Sequence, residues 1–136
     1  MKTTLRWVEK LAFDASADGH TVRMDTTEAG GSLNSGMSPK RMLLASLSGC
    51  SGMDIVGMLK KMRATFTKLE IEAEAEQTDT DPKVFKYIRM IYRCDLPENE
   101  RDKLERAIYL SHETYCGISA MLKKHCEISY EIELIR

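Results

Sequence analysis

The fold is decided by residues 38–61, which read SPKRMLLASLSGCSGMDIVGMLKK. Ser38 and Pro39 suit the N-cap and first turn of a helix, because proline gives up no hydrogen bond there and already has a helical φ. Basic residues close the segment, which suits the negative end of a helix dipole. We predict a helix from Pro39 to about Arg63. Its apolar side chains lie all around the axis, so it has to be buried on every side.

The same segment reaches the lower length limit of a membrane-spanning helix. It carries Asp54 near its middle, and an aspartate at the centre of a membrane helix costs roughly 2.5–3.5 kcal/mol. Its serines and glycines let other backbones pack closely against it. We therefore predict a core helix and no membrane partner. One chain of 136 residues offers too little apolar surface to cover this helix, so we expect an intertwined homodimer.

Strand patterns flank the helix on both sides. Residues 69–76 alternate strictly between apolar residues and glutamate, and this period of two predicts a strand although the residues favour helices. The last segment alternates in the same way, which is typical of an antiparallel strand with one solvated face. We predict one bent strand or two strands over 5–10 and 11–15, further strands at 21–24, 69–76, 84–94 and 127–134, and further helices at 98–114 and 116–124. The order indicates one α+β domain, residues 1–136, with helices on one face of an antiparallel sheet.

Composition excludes several classes of function. The net charge of −1 comes from mixed charges without a basic patch, which argues against nucleic acid as a partner. The N-terminus has no apolar stretch typical of a signal peptide. Four cysteines without such a signal are typical of a reducing compartment, so we expect a cytoplasmic protein. No nucleotide-binding or Cys-x-x-Cys motif occurs, and we expect no cofactor.

Cys50 lies within the long helix, between Gly49 and Gly52. The small neighbours leave room for a substrate to reach its sulfur. Asp54, one turn away, opposes a thiolate at Cys50, and so does burial.

Cys116 lies near the start of a short helix, where free N–H groups and the helix dipole favour a thiolate. His112 would share its face on an unbroken helix and would orient or deprotonate it. Buried cysteines are more often structural than reactive. The residues alone leave a catalytic dithiol and a pair of packed thiols equally open.

The other two cysteines are expected to be structural. Cys94 falls on the apolar face of its strand, and Cys126 lies on the face that carries Ile128 and Tyr130. His125 beside Cys126 lacks the ligand spacing of structural zinc sites. We expect no metal.

Several motifs together resemble the OsmC/Ohr family, and specifically its less characterised branch. The order of elements also matches over essentially the whole chain. The motifs are Ser38-Pro39, Leu43-Leu44-Ala45, Ser48-Gly-Cys50 followed by Met-Asp-Ile-Val56, and Tyr115-Cys116 before Met121-Leu122. The resemblance implies antiparallel sheets around a long central helix in an intertwined dimer. It also implies reduction of organic hydroperoxides or hydrogen peroxide, with Cys50 oxidised to a sulfenic acid, Cys116 closing a disulfide, and a thiol or dithiol as reductant.

The chain departs from the family pattern beside the reactive thiol. In the peroxidases an acid follows the proline and positions an arginine near the thiolate, whereas this chain has Lys40 and Arg41 there and no acid before Cys50. Lys40, Arg41 or an N-terminal arginine, Arg6 or Arg23, is the candidate activating cation. A second hypothesis stays open: a one-shot redox sensor or small-ligand binder on the same fold.

Overall fold

The long segment 38–61 forms a helix, α1 (Pro39–Lys61). Three strands precede it in the chain, and three strands with two further helices follow it. The computed structural model describes residues 1–136. The chain forms two compact units, Met1–Leu44 and Ala45–Arg136, and α1 begins in the first and ends in the second. The α+β class predicted from the sequence is confirmed.

The first unit is a three-stranded antiparallel sheet followed by a loop. Its strands, in the spatial order β1-β2-β3, are β1 (Thr4–Glu9), β2 (Ala12–Ala17) and β3 (His20–Met24). The predicted turn at Asp18 and Gly19 joins β2 to β3, and both residues have positive φ, the conformation that glycine adopts without strain. The carboxylate of Asp25 organises the loop, since it accepts hydrogen bonds from the backbone N–H groups of Thr26 and Ser35.

Helix α1 begins at Pro39, as predicted, and buries a narrow stripe in the second unit. Leu47, Ser51, Ile55 and Leu59 recur every four residues and are fully buried. In contrast, Met53 on another side is 81% exposed. Helix α1 is long and apolar enough to cross a membrane, by length and composition alone. Core helices of soluble proteins share both properties.

The second unit contains a sheet in the order β4-β5-β6. Strand β4 (Leu69–Gln77) pairs antiparallel with β5 (Phe85–Cys94). The predicted period of two is confirmed in β4, whose glutamates are exposed while the alternating residues are half-buried. On the outer face Arg93 forms ion pairs with Glu70, Glu72 and Glu133.

The expected antiparallel pairing of the last strand is wrong. Strand β6 (Glu127–Leu134) runs parallel to β5, from Tyr87 opposite Glu127 to Cys94 opposite Leu134. Helices lie between the two strands in sequence, and such a crossover returns the chain to the end of the sheet from which β5 started. Strand β6 lies at the edge of the sheet, and its residues still alternate largely between exposed and half-buried positions. The alternation was predicted, whereas the strand direction was not.

Two helices and a π-turn make up this crossover. After a short 3₁₀ turn (Glu98–Glu100) come α2 (Arg101–Leu110), a π-turn (Ser111–Tyr115) and α3 (Gly117–Lys123). The predicted helix 98–114 is therefore not one regular helix. The π-turn is closed by the N–H of Cys116 donating to the carbonyl of Ser111 at 2.8 Å. It turns the neighbouring residues Ser111 and His112 both towards the interior.

Candidate active site

The two cysteines singled out in the sequence meet in the second unit. Cys50 lies close enough to Cys116 to raise the pKa of the Cys116 thiol. Cys50 is half-buried on α1, whereas Cys116 is buried at the start of α3. The two thiols are free.

The surroundings of Cys116 keep its thiol protonated. Burial raises the pKa of Cys116, and the neighbouring Cys50 raises it further. The backbone N–H of Ser119 donates to the Cys116 sulfur at 3.3 Å and works in the opposite direction. The expectation that the helix start would make Cys116 a thiolate is therefore wrong, because burial and the neighbouring sulfur outweigh that one N–H.

A buried polar network lies beside the thiols. The Tyr92 hydroxyl on β5 is 2.7 Å from the Ser51 hydroxyl on α1 and 2.7 Å from Nε2 of His112. The Ser111 hydroxyl is 3.2 Å from that of Ser51 and 3.0 Å from a carboxylate oxygen of Asp54. No buried side-chain nitrogen or oxygen is left without a hydrogen-bond partner.

His112 occupies a different place from the one expected. Its ring bonds to Tyr92 through Nε2 and to the Ser119 hydroxyl through Nδ1 at 3.3 Å, and it stacks on Tyr130 at 4.9 Å. The π-turn breaks the helical spacing that would have set it against Cys116. Burial lowers the pKa of His112, and the nearby charge of Lys123 lowers it further. The ring is therefore neutral near pH 7.

Arg23, one of the candidate cations, is held in the first unit by hydrogen bonds to two side chains. Nε of Arg23 donates to Asp14 on the adjacent strand at 2.5 Å, and Nη2 donates to the other carboxylate oxygen at 3.3 Å. Nη1 donates to Ser35 at 3.0 Å. The hydrogen bond from Arg23 lowers the pKa of Asp14 by more than burial raises it, and the charge of Arg23 adds a smaller lowering. The loop backbone at Gly36 lies so close to Arg23 that no Cβ fits between them.

The other candidate cations lie elsewhere in the first unit. Lys40 and Arg41 are exposed on the first turn of α1, and Arg41 donates to the Ser38 hydroxyl at 3.1 Å. Arg6 is exposed on β1. Of these cations, Arg23 is the one that a carboxylate holds at two points.

An open apolar groove of about 720 Å³ runs along α1 beside β4. The side chain of Ile71 approaches α1 at Gly52, where an added Cβ would lie 3.1 Å from it. Met53 lines this groove and is largely exposed. Cys94 is fully buried on β5, Cys126 is half-buried, and burial raises the pKa of both thiols.

The family model described as "OsmC-like protein" matches residues 30–131. The chain belongs to the OsmC-like family. Protein YhfA of Escherichia coli K12 is 32% identical over 136 residues, which cover 99% of this chain and 98% of YhfA. This agrees with the OsmC/Ohr resemblance of the sequence motifs.

Solved structures share the fold of this OsmC-like protein. A hypothetical protein from Aquifex aeolicus VF5 is 25% identical, with a TM-score of 0.81 and coverage of 99% of this chain and 97% of that one. The organic hydroperoxide resistance protein OhrB of Bacillus subtilis is 18% identical, with a TM-score of 0.65 and coverage of 97% and 96%. These neighbours show the fold that the chain shares with OsmC-like proteins.

Proposed function

We propose that this OsmC-like protein is a thiol-dependent peroxidase that reduces organic hydroperoxides or hydrogen peroxide. The observation that carries the proposal is the proximity of two free thiols, Cys50 and Cys116, close enough that Cys50 raises the pKa of Cys116. Two neighbouring free thiols are suited to disulfide formation once either is oxidised. The name of OhrB, a structural neighbour, supports a hydroperoxide as the substrate.

Cys50 is the proposed peroxidatic residue. It is the more exposed of the two thiols, so a substrate reaches it first. Cys116 keeps its proton because burial raises its pKa, and it is less accessible than Cys50. The pair therefore has one sulfur suited to attack and one suited to follow.

The chemistry balances in three steps. The Cys50 thiolate attacks the terminal peroxide oxygen, the O–O bond breaks, and the leaving alkoxide or hydroxide takes a proton to give alcohol or water. Cys116 then attacks the sulfur of the Cys50 sulfenic acid, the S–O bond breaks, and hydroxide leaves with the Cys116 proton as water. A dithiol, or two thiols, reduces the resulting disulfide by thiol–disulfide exchange and returns two protons and two electrons.

Arg23 is the proposed thiolate-activating cation, with Lys40 and Arg41 as the other candidates. Asp14 and Ser35 fix its guanidinium in one orientation. This supports an acid–arginine pair in which the acid comes from the neighbouring strand and not from the start of α1. Each unit of pKa depression at a thiol requires about 1.4 kcal/mol of differential stabilisation.

A homodimer is the proposed assembly. Helix α1 buries one stripe in its own chain and leaves Met53 81% exposed in an apolar groove. A second copy covering this groove would bury the remaining apolar side of α1. We also propose a cytoplasmic location, since the proposed cycle needs reduced thiols as electron donors.

Peroxide consumption with dithiothreitol as reductant tests the proposal. Wild type should turn over many times per subunit, and Cys50→Ser should be inactive. Cys116→Ser should accumulate a sulfenic acid or its over-oxidised products at Cys50, identified by mass spectrometry. A single oxidation per subunit without turnover would indicate a sensor instead. Absence of a Cys50–Cys116 peptide after peroxide treatment would contradict the peroxidase.

A further inference from the structure

Six buried or half-buried groups form one hydrogen-bond chain across the second unit. Successive polar contacts measure 3.0, 3.2, 2.7, 2.7 and 3.3 Å. The chain begins at a carboxylate on α1, crosses β5 and the π-turn, and ends on α3. Its members, in order, are Asp54, Ser111, Ser51, Tyr92, His112 and Ser119.

The number of available protons fixes the direction of every bond. A neutral histidine carries one ring N–H, and each hydroxyl carries one proton. The four hydroxyls and the neutral His112 therefore supply five protons for the five contacts, while the Asp54 carboxylate supplies none. One proton per contact is possible in a single arrangement, in which each group donates towards Asp54.

If the hydrogen bonds ran away from Asp54, its carboxylate would lose the hydrogen bond from Ser111. The Ser111 hydroxyl is placed to donate both to Asp54 and to Ser51, but it has a single proton. If that proton went to Ser51, the Ser111 oxygen would face a carboxylate oxygen of Asp54 at 3.0 Å with no hydrogen between them. Hydrogen bonds to charged acceptors are the stronger ones, so the Ser111 proton goes to Asp54. The thioether of Met90, 3.7 Å from the Tyr92 hydroxyl, is too weak an acceptor to divert its proton.

We infer that Asp54 sets the direction of this chain and thereby holds neutral His112 with its proton on Nε2. Nδ1 then accepts from the Ser119 hydroxyl, and the backbone N–H of Ser119 donates to the Cys116 sulfur. Asp54 is thus a positioning residue that acts on the start of α3 through Tyr92 and His112. The consequence for disulfide formation rests on the proposed function; the histidine tautomer does not.

Nitrogen NMR of the reduced protein at pH 7.5 tests the tautomer without any peroxide. The chain has three histidines, so the His112→Gln spectrum assigns the signals of His112. We expect wild type to show the proton on Nε2. A proton on Nδ1, or on both nitrogens, would overturn the inference.

Variants test whether the influence of Asp54 passes through Tyr92. Asp54→Leu keeps a similar shape and cannot accept a proton, so we expect it to abolish the preference for Nε2. Tyr92→Phe should abolish it as well, and the double variant should match Tyr92→Phe alone. Glu113→Gln, which removes an exposed charge next to His112 in sequence, is the control and should leave the tautomer unchanged. An Asp54→Leu protein that folds and keeps Nε2–H would overturn the inference.

The rate of the second chemical step connects the chain to Cys116. After one equivalent of peroxide, conversion of the sulfenic acid to the disulfide should be about tenfold slower in both Asp54→Leu and Tyr92→Phe, equivalent to about 1.4 kcal/mol. Tyr92→Phe changes no charge, so a shared effect is not due to the field at Cys50. Unaltered rates in both variants would overturn the positioning role. If wild type shows the Nε2–H tautomer but forms no disulfide, only the proposed function fails.

Discussion

The Tyr92 hydroxyl lies 2.7 Å from Nε2 of His112, and both side chains are buried. The same oxygen lies 2.7 Å from the Ser51 hydroxyl, so one phenol joins α1, β5 and the π-turn. Tyr92→Phe removes this oxygen and leaves polar groups of Ser51 and His112 buried without their partner. We expect the free energy of unfolding, measured by urea denaturation, to fall by about 1–3 kcal/mol.

Tyr87→Phe is the matched control for that substitution. Tyr87 is on the same strand, but its hydroxyl contacts Glu76 on an exposed face. Its removal should change stability by no more than about 0.5 kcal/mol. Equal losses from the two substitutions would contradict a structural role for the buried hydroxyl.

Stability should decrease on acidification because of His112. Burial, and then the charge of Lys123, lower its pKa in the folded protein, against a smaller effect of Glu113. Below about pH 6.5 the unfolded chain binds a proton at this histidine that the folded chain resists. The contribution is therefore complete above pH 6.5 and is lost as pH falls through the folded pKa.

Urea denaturation across pH 5–8 measures this effect. His112→Gln should be less stable at pH 8 and should lose part of the acid dependence. His125→Gln, at an exposed histidine that donates to the Phe85 carbonyl, should keep it. The same acid dependence in wild type and His112→Gln would show that other groups are responsible.

Serine at Cys94 or Cys126 should spare the proposed activity. Cys94→Ser places a hydroxyl at a fully buried position on β5 and should cost about 1–3 kcal/mol of stability. Cys126→Ser should cost less, since Cys126 is only half-buried. Peroxide consumption per folded subunit should equal wild type in both. Lost turnover in a folded variant would assign that thiol a chemical role.

Met53→Asp should dissociate the proposed dimer while preserving the fold of each chain. Met53 is 81% exposed and lines the apolar groove, so a charge there opposes burial by a second copy. Sedimentation velocity should show a shift to monomer. Ile55→Ala, two residues away on the buried stripe, should instead cost about 2–5 kcal/mol of folding stability.

Met121→Asp is the matched control for association. Met121 is on α3 and is 65% exposed, outside the groove. It should remain dimeric by sedimentation velocity. A folded wild-type monomer at micromolar concentration would rule out the proposed dimer, and dissociation by Met121→Asp alone would place the interface on another face.

Arg23→Lys should lower peroxide turnover more than Lys40→Ala or Arg41→Ala. Lysine keeps the charge but cannot reproduce the two-point contact with Asp14. Asp14→Asn should reduce turnover too, because it frees the same guanidinium. Arg6→Ala, at an exposed arginine on β1, is the control and should retain activity. Full turnover in Arg23→Lys would shift the activating role to another cation.

Local patterns in the sequence predict most of the elements. Proline at the first helical position fixes the start of α1 at Pro39, and alternation identifies β4 against its helical composition. The inner residues of β5 also follow from alternation, and Tyr92 is among them. A buried tyrosine hydroxyl needs a partner, which was the available signal for the network that sequence reasoning missed.

Contacts between distant segments required the tertiary structure. The sequence identifies Cys50 and Cys116 as candidates, but only the tertiary fold places them close to each other. Asp14 and Arg23 become partners because the register of β2 and β3 sets them opposite each other. Register depends on every pair along two strands, and no single motif encodes it.

The sequence by itself determined where helices and strands lie, because capping, φ restriction and periodicity act between residues close in the chain. The tertiary structure decided the parallel direction of β6 and the π-turn after α2. It also decided the hydrogen-bond partners of His112. Each depends on how remote segments bury their polar groups together, and a buried donor or acceptor takes whichever partner packing brings within reach.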